Sequence, residues 1–234
     1  MSKKEIINEP IASNQSLNRL RAAVLGANDG IVSISALLMG VTAATNNTSH
    51  IFTAGLAALV SGALSMAVGE YVSVSSQSDT EASLINKEKA RLTANPKAEI
   101  INLAHAYVDM GLSKPTALQV AKELTKHDVL KAHLQVKHGI DEADLSSPMQ
   151  AAIASFIAFA AGGALPFIIA IVTPHILREL AIVIAVTAAL AITGFLSAKA
   201  GDAPRLRAIM RIIIGGLIAM GVTYTVGALF GTII

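Results

Sequence analysis

Apolar residues in this chain come in long unbroken runs, not as the one-sided stripe of a surface helix. Five runs stand out: 21–44, 51–73, 149–172, 177–197 and 208–234. As helices rising about 1.5 Å per residue, each is long enough to cross roughly 30 Å of hydrocarbon. A membrane β-barrel would instead show alternating segments of about ten residues, and none is present. The pattern predicts an all-α membrane protein. It has five transmembrane helices, with a cytoplasmic helical insertion between the second and third. The expected division is 1–75, 76–148 and 149–234. A short polar loop, Thr45-Asn46-Asn47-Thr48-Ser49-His50, makes the first two spans a hairpin.

The insertion 76–148 is polar but periodic. The stretch 80–92 continues the second span without a breaker, so that helix is expected to run on beyond the membrane. Pro96 suits the first turn of a new helix. Ile100, Ile101, Leu103, Ala104, Tyr107 and Val108 recur at helical spacing, and Gly111 suits a C-terminal cap. A second helix is expected from Ser113 or Lys114, with Pro115 in its first turn. It carries Leu118, Ala121, Leu124, Val129, Leu130, Leu134 and Val136 to a stop at Gly139. In the third span, Pro166 predicts a kink.

Composition narrows the chemistry. Hydrophobic residues make up 53% of the 234, charged residues 15%, and mean hydropathy is +0.59, all beyond the ordinary soluble range. A net charge of +2 offers no field for nucleic acid. The absence of cysteine excludes disulfides, iron–sulfur clusters and thiolate metal sites. No HExxH, ExxH, P-loop or nucleotide motif occurs, so neither an enzyme nor a prosthetic group is expected. The polar first twenty residues show no cleavable leader, and the first span is expected to serve as the insertion signal.

Lysine and arginine near the span ends set the orientation. Lys3, Lys4, Arg19 and Arg21 precede the first span, and Lys199, Arg205, Arg207 and Arg211 flank the fourth-to-fifth turn. The first loop has none and the third-to-fourth loop only Arg178. These place the N-terminus and the insertion in the cytoplasm and the C-terminus outside. A bacterial plasma membrane is the expected setting.

Within the first span, Asp29 is costly: a carboxylate at that depth carries about 2.5–3.5 kcal/mol. It reads as a cation or proton site. Met66 and Glu70 share a face of the second span, four residues apart. From the cytoplasmic side Asp29 lies about 13 Å deep and Met66 about 10 Å, with Glu70 nearer the surface. Asn28 and Ser33 add neutral oxygens. Carboxylate plus thioether gives magnesium or calcium no advantage, whereas Fe²⁺ or Mn²⁺ tolerates sulfur. Lipid or core packing is the competing reading of Met66. In the insertion, Glu81, Glu88, Glu99 and His133 are candidate cytoplasmic metal ligands, Glu81 and Glu88 on one helix face. Nine lysines and arginines against ten acids between Ser76 and Pro148 leave no strong acidic field, so a solvated charged surface competes with that reading.

These residues resemble a known family. Leu20-Arg21-Ala22-Ala23-Val24-Leu25-Gly26-Ala27-Asn28-Asp29-Gly30-Ile31-Val32-Ser33 is similar to the first-helix signature of the vacuolar iron transporter family. Leu64-Ser65-Met66-Ala67-Val68-Gly69-Glu70-Tyr71-Val72-Ser73, followed by Gln77-Ser78-Asp79-Thr80-Glu81, resembles its second, and Gly162-Gly163-Ala164-Leu165-Pro166 its third. The resemblance implies a homodimeric five-helix Fe²⁺/Mn²⁺ transporter with proton antiport. It implies that Asp29 and Met66 line the pathway and that the insertion gathers metal, Glu99 matching a metal-binding glutamate and Glu88 matching less closely. The chain departs from the pattern at Ala58, where plant vacuolar members carry a glutamate. It departs again at Asn102, His133 and Lys137, which replace parts of a glutamate and methionine set.

The expected function is export of Fe²⁺ or Mn²⁺ from the cytoplasm by proton antiport, with lipid, protons and a second copy as partners. Asp29 is the expected ligand and proton carrier, Met66 the softer ligand and Glu70 the cytoplasmic entrance. The rival readings are a non-transporting membrane metal sensor and a transporter of another cation.

Overall fold

The computed structural model describes residues 14–141, 147–200 and 204–231. Lys3 and Lys4, Gly201-Asp202-Ala203 of the fourth-to-fifth turn and the last three residues of the fifth span lie outside them. Among the described residues seven α-helices follow in order: α1 (Asn14–Ala44), α2 (Thr48–Ala94), α3 (Pro96–Asp109), α4 (Lys114–His138), α5 (Pro148–Val172), α6 (Arg178–Ala200) and α7 (Arg205–Phe230). A single 3₁₀ turn, His175–Leu177, precedes α6. Five stretches are long and apolar enough to cross a membrane: Ala23–Ala44, Thr48–Ala94, Pro148–Val172, His175–Lys199 and Arg205–Phe230. The expected all-α chain with five spans is present. α2 is one unbroken helix of 47 residues, and α5 stays helical on both sides of the buried Pro166.

The chain forms two compact units. One comprises Leu17–Val72 and Met149–Ile234; the other is built on Ser73–Pro148. The first is organised around α1. Ile31, Ile34, Leu38 and Met39 of α1 pack with Ile51 and Ala63 of α2, Phe159 and Ala170 of α5, Ile182, Val186 and Leu190 of α6, and Met220 of α7. Backbone contact holds α1 on two sides. A methyl group at Gly30 would strike the Phe159 carbonyl of α5, and one at Gly162 the Ala27 carbonyl. Near the other end of α1, Gly227 of α7 lies against the Gly40 backbone. Small residues at these crossings let the helices approach closely enough for dense packing without a large side chain. The outward side chains of this unit, Phe52, Leu56, Val60, Leu64 and Val68 of α2 among them, remain exposed and apolar, which suits lipid or another helix.

In the second unit, α3 packs on α4 through Leu103, Ala104, Ala117, Ala121 and Ala132. Ile85 from the last part of α2 meets Leu134 and Ile140. Asn95 caps α3, its side chain accepting from the Ala98 amide at 3.2 Å, with Pro96 in the first turn. Gly139 closes α4 in the left-handed conformation (φ 66°), which costs glycine nothing. The single expected helix after Ser113 is in fact two. Asp128 leaves the helical region (φ −157°, ψ 95°), and its carboxylate accepts from the Lys131 amide at 2.9 Å. That is an N-cap: Asp128 starts a fresh helical segment ahead of Val129 and Leu130, and the unbroken apolar periodicity conceals it.

Candidate functional site

In the membrane-spanning unit, α1 presents Asp29 and Ser33 on one face, a turn apart. The Ser33 hydroxyl donates to Asp29 Oδ1 at 2.8 Å. Both line a cavity of about 330 Å³ with Ile34 and Leu37 of α1, Ala58, Ser61, Gly62, Ser65 and Met66 of α2, and Phe159 of α5. Asp29 and Met66 thus share one chamber. Small residues on α2 make the room: a methyl at Gly62 would overlap the Phe159 ring. The cavity wall at Ala58 is a methyl group, so Asp29 is the one carboxylate lining it. Ser61 and Ser65 are exposed and supply hydroxyl oxygens.

Asp29 also lines a second cavity of about 360 Å³, with Leu25, Asn28 and Val32 of α1 and Arg211, Ile212, Gly215 and Gly216 of α7. Asn28 Oδ1 is buried there without a hydrogen-bond partner. An unpaired buried carbonyl costs about 1–3 kcal/mol unless a cation or water meets it. One carboxylate therefore faces two chambers, one with thioether and hydroxyls and one with an amide oxygen. Glu70 is half-buried and lines neither cavity. A charge in an apolar run marks Asp29, helical spacing marks Met66, and Ser33 is a neighbouring oxygen; Phe159 and Arg211 come from distant helices, and nothing local in the sequence joins them to this site.

The second unit holds a buried charge cluster. Glu88 of α2, Glu99 of α3 and His133 of α4 are 1%, 7% and 0% exposed, with potential ligand atoms all within 4.8 Å of one another. Three of the four candidate ligands thus meet. Glu81 does not join them; it accepts from Gln77 Nε2 at 2.8 Å, one turn back on its own helix. A fourth member of the cluster is Lys137. Its Nζ donates to Glu88 Oε1 at 2.7 Å and to Glu99 Oε2 at 3.0 Å. His133 Nδ1 lies 2.7 Å from the same Glu88 oxygen and 3.6 Å from Glu99 Oε2. Asn102 donates to the other Glu99 oxygen at 2.9 Å. The Arg91 guanidinium stands 3.6 Å from Glu88 Oε2, which has no hydrogen bond.

Charge follows from this geometry. Burial works to raise the Glu88 pKa, but the hydrogen bond and charge of Lys137, then those of His133, outweigh it and hold the carboxyl below 4.5. Burial of Glu99 is likewise outweighed, by Lys137 and Asn102. Burial and then the charge of Lys137 push His133 below 6.5, against the pull of both carboxylates. His133 is therefore neutral near pH 7. An ionised carboxylate only accepts, so Nδ1 carries the proton it gives Glu88. Nε2 is left as a buried lone pair without a partner.

A model of the VIT family matches residues 20–228. The chain belongs to the VIT family. It is 39% identical to a vacuolar iron transporter of Acanthamoeba castellanii across 92% of its own length and 79% of that protein. It is 38% identical to vacuolar iron transporter homolog 1 of Arabidopsis thaliana and 35% identical to homolog 2, each across 91% of this chain and 84% of the relative. The VIT match covers both the Asp29 cavities and the Glu88 cluster.

Proposed function

We propose that this VIT-family protein transports a divalent transition metal, Fe²⁺ or Mn²⁺, through the membrane-spanning unit, with Asp29 as the carboxylate ligand and Met66 as the softer one. The observation that carries this reading is the position of Asp29, lining two chambers and sharing one with Met66. Family membership and the names of the relatives support a metal as cargo. The ligand set agrees: carboxylate, hydroxyl and thioether suit a first-row ion better than magnesium or calcium.

Direction and coupling belong to the same proposal. The positive-inside distribution of lysine and arginine supports an N-terminus and an insertion in the cytoplasm, and the proposed direction is export from that side. Metal displaces a proton from a carboxylate, and one Asp29 side chain can serve both ions in turn, which is antiport in its simplest form. Glu70, one turn from Met66, would draw cations to the cytoplasmic mouth. A second copy would cover the α2 stripe from Phe52 to Val68 and close the chamber at Ser61 and Ser65.

The deciding experiment is Mn²⁺ and Fe²⁺ flux in proteoliposomes with and without an imposed pH gradient, on wild type and Asp29→Asn together. Flux that depends on the gradient in wild type and vanishes in the variant is expected. Full flux in Asp29→Asn would sink the mechanism. A pure sensor would need metal at Glu88, Glu99 and His133, and there Lys137 already bridges the two carboxylates.

A further inference from the structure

The Glu88–Glu99–His133 cluster has the donor set of a transition-metal site, two carboxylates and an imidazole from three helices. We propose that Lys137 is the resident cation of this site: its ammonium occupies the seat of a divalent ion, so that the unit excludes metal while the lysine stays and becomes a metal site once the lysine's charge is removed. This inference stands apart from transport through the Asp29 chamber and does not rest on it.

Three observations carry it. The first is position. Lys137 Nζ binds one oxygen of each carboxylate, at 2.7 and 3.0 Å, and those same oxygens face His133 Nδ1, which becomes a ligand when its proton moves to the unpartnered Nε2. A first-row divalent ion takes such ligands at roughly 2.0–2.2 Å, so an ion at that point needs only a small inward movement of side chains. The second is charge. Glu88 and Glu99 bring two carboxylates to one point, which a divalent ion matches in charge and one ammonium does not. The Arg91 guanidinium at the rim stands beside Glu88. The third is unused ligand capacity. Glu88 Oε2 is buried and has no hydrogen-bond donor, although its residue is 1% exposed. The Arg91 guanidinium stands 3.6 Å from that oxygen, too far for a hydrogen bond, so its acceptor capacity is open to an ion.

Local structure explains how the lysine reaches the site. His133 and Lys137 are four residues apart on the helical segment that Asp128 starts, so they share a face. Lys137 remains 19% exposed, whereas its partners are buried. It is the member of the cluster nearest water and the one able to swing out.

The test uses the full chain in detergent, carrying Asp29→Asn so that the membrane carboxylate does not contribute. Co²⁺ uptake is measured by equilibrium dialysis, and coordination by its d–d absorption bands. Lys137→Met and Lys137→Gln are each expected to take up roughly one more Co²⁺ per chain than the parent. Adding His133→Gln should abolish the extra ion and its bands. Lys137→Arg, which keeps the charge, should bind no more than the parent. Co²⁺ should raise the Tm of the two neutral variants and not that of the parent.

Two binding results would overturn the proposal. One is a parent chain that already binds Co²⁺ in a form lost with His133→Gln or Glu99→Gln. The other is a folded Lys137→Gln chain that takes up no extra ion. Lys137→Gln retains an amide donor for Glu88 and covers the case in which Lys137→Met does not fold. Folding of either neutral variant only when metal is supplied counts for the proposal; failure of both with and without metal counts against it.

Discussion

Ser33 holds Asp29 from one helical turn away, its hydroxyl donating to Oδ1 at 2.8 Å. The bond orients a carboxylate that two cavities share. A hydrogen bond to a charged group contributes about 1.5–3 kcal/mol, part of which water can replace here. Ser33→Ala is expected to raise the apparent KM for Mn²⁺ by roughly five- to tenfold, or about 1 kcal/mol, with maximal flux within about twofold. A proportional fall in maximal flux at constant KM would remove Ser33 from this role.

The glycine crossings separate into intolerant and tolerant positions. Gly30 and Gly162 meet backbone carbonyls of the facing helix, which cannot rotate away. Gly30→Ala or Gly162→Ala should cost about 1–3 kcal/mol through overpacking, seen as a lower Tm in detergent. Gly69 and Gly215 have open space where a methyl would go, and alanine there should be neutral or gain up to about 1 kcal/mol of helix propensity. Equal Tm values across all four variants would mean that the α1–α5 crossing is looser than described.

Acid should loosen the unit built on Ser73–Pro148 in two stages. His133 titrates below 6.5 in the fold, so the unfolded chain binds its proton first, and stability falls as pH drops from 6.5 toward the lowered native value. Glu88 and Glu99 titrate below 4.5 in the fold, so their contribution, complete above 4.5, is lost as pH falls below it. Protection factors of α3 and α4 peptides, exchange rates corrected for the intrinsic slowing of amide exchange in acid, should therefore fall from about pH 6.5 downward. His133→Gln should flatten the upper stage and leave the lower one.

Asp128→Ala should remove the cap of the last segment of α4, at about 1 kcal/mol. Exchange should rise over Val129–His138 more than over the preceding residues, while Asp128→Ser retains most protection. Uniform change along α4 would mean that Asp128 is not a local start signal.

Much of this architecture is legible in the residues themselves. Apolar run length identifies the five spans, and Pro96, Gly111 and Gly139 mark the insertion's helix ends because each answers to local backbone chemistry. Asp29 stands out because charge in an apolar run is rare. Lys137 looks in sequence like one basic residue among nine in a solvated region, or like a ligand lost. Its role emerges only when α2, α3 and α4 bring residues some forty to fifty positions apart into one cluster. The break at Asp128 is hidden for the opposite reason: a new helix begins at once, and the apolar spacing continues across it.

The glycine contacts of α1 fix the address of its carboxylate. Gly30 and Gly162 tie that helix to the backbone of α5, and Gly40 and Gly227 tie it to α7. On the α2 side, Gly55 and Gly62 meet only the rotatable rings of Phe167 and Phe159 and the side chain of Leu38. Asp29 therefore behaves as a stationary post between two rooms. The parts free to give way beside it are the aromatic rings and the helix that leans on them.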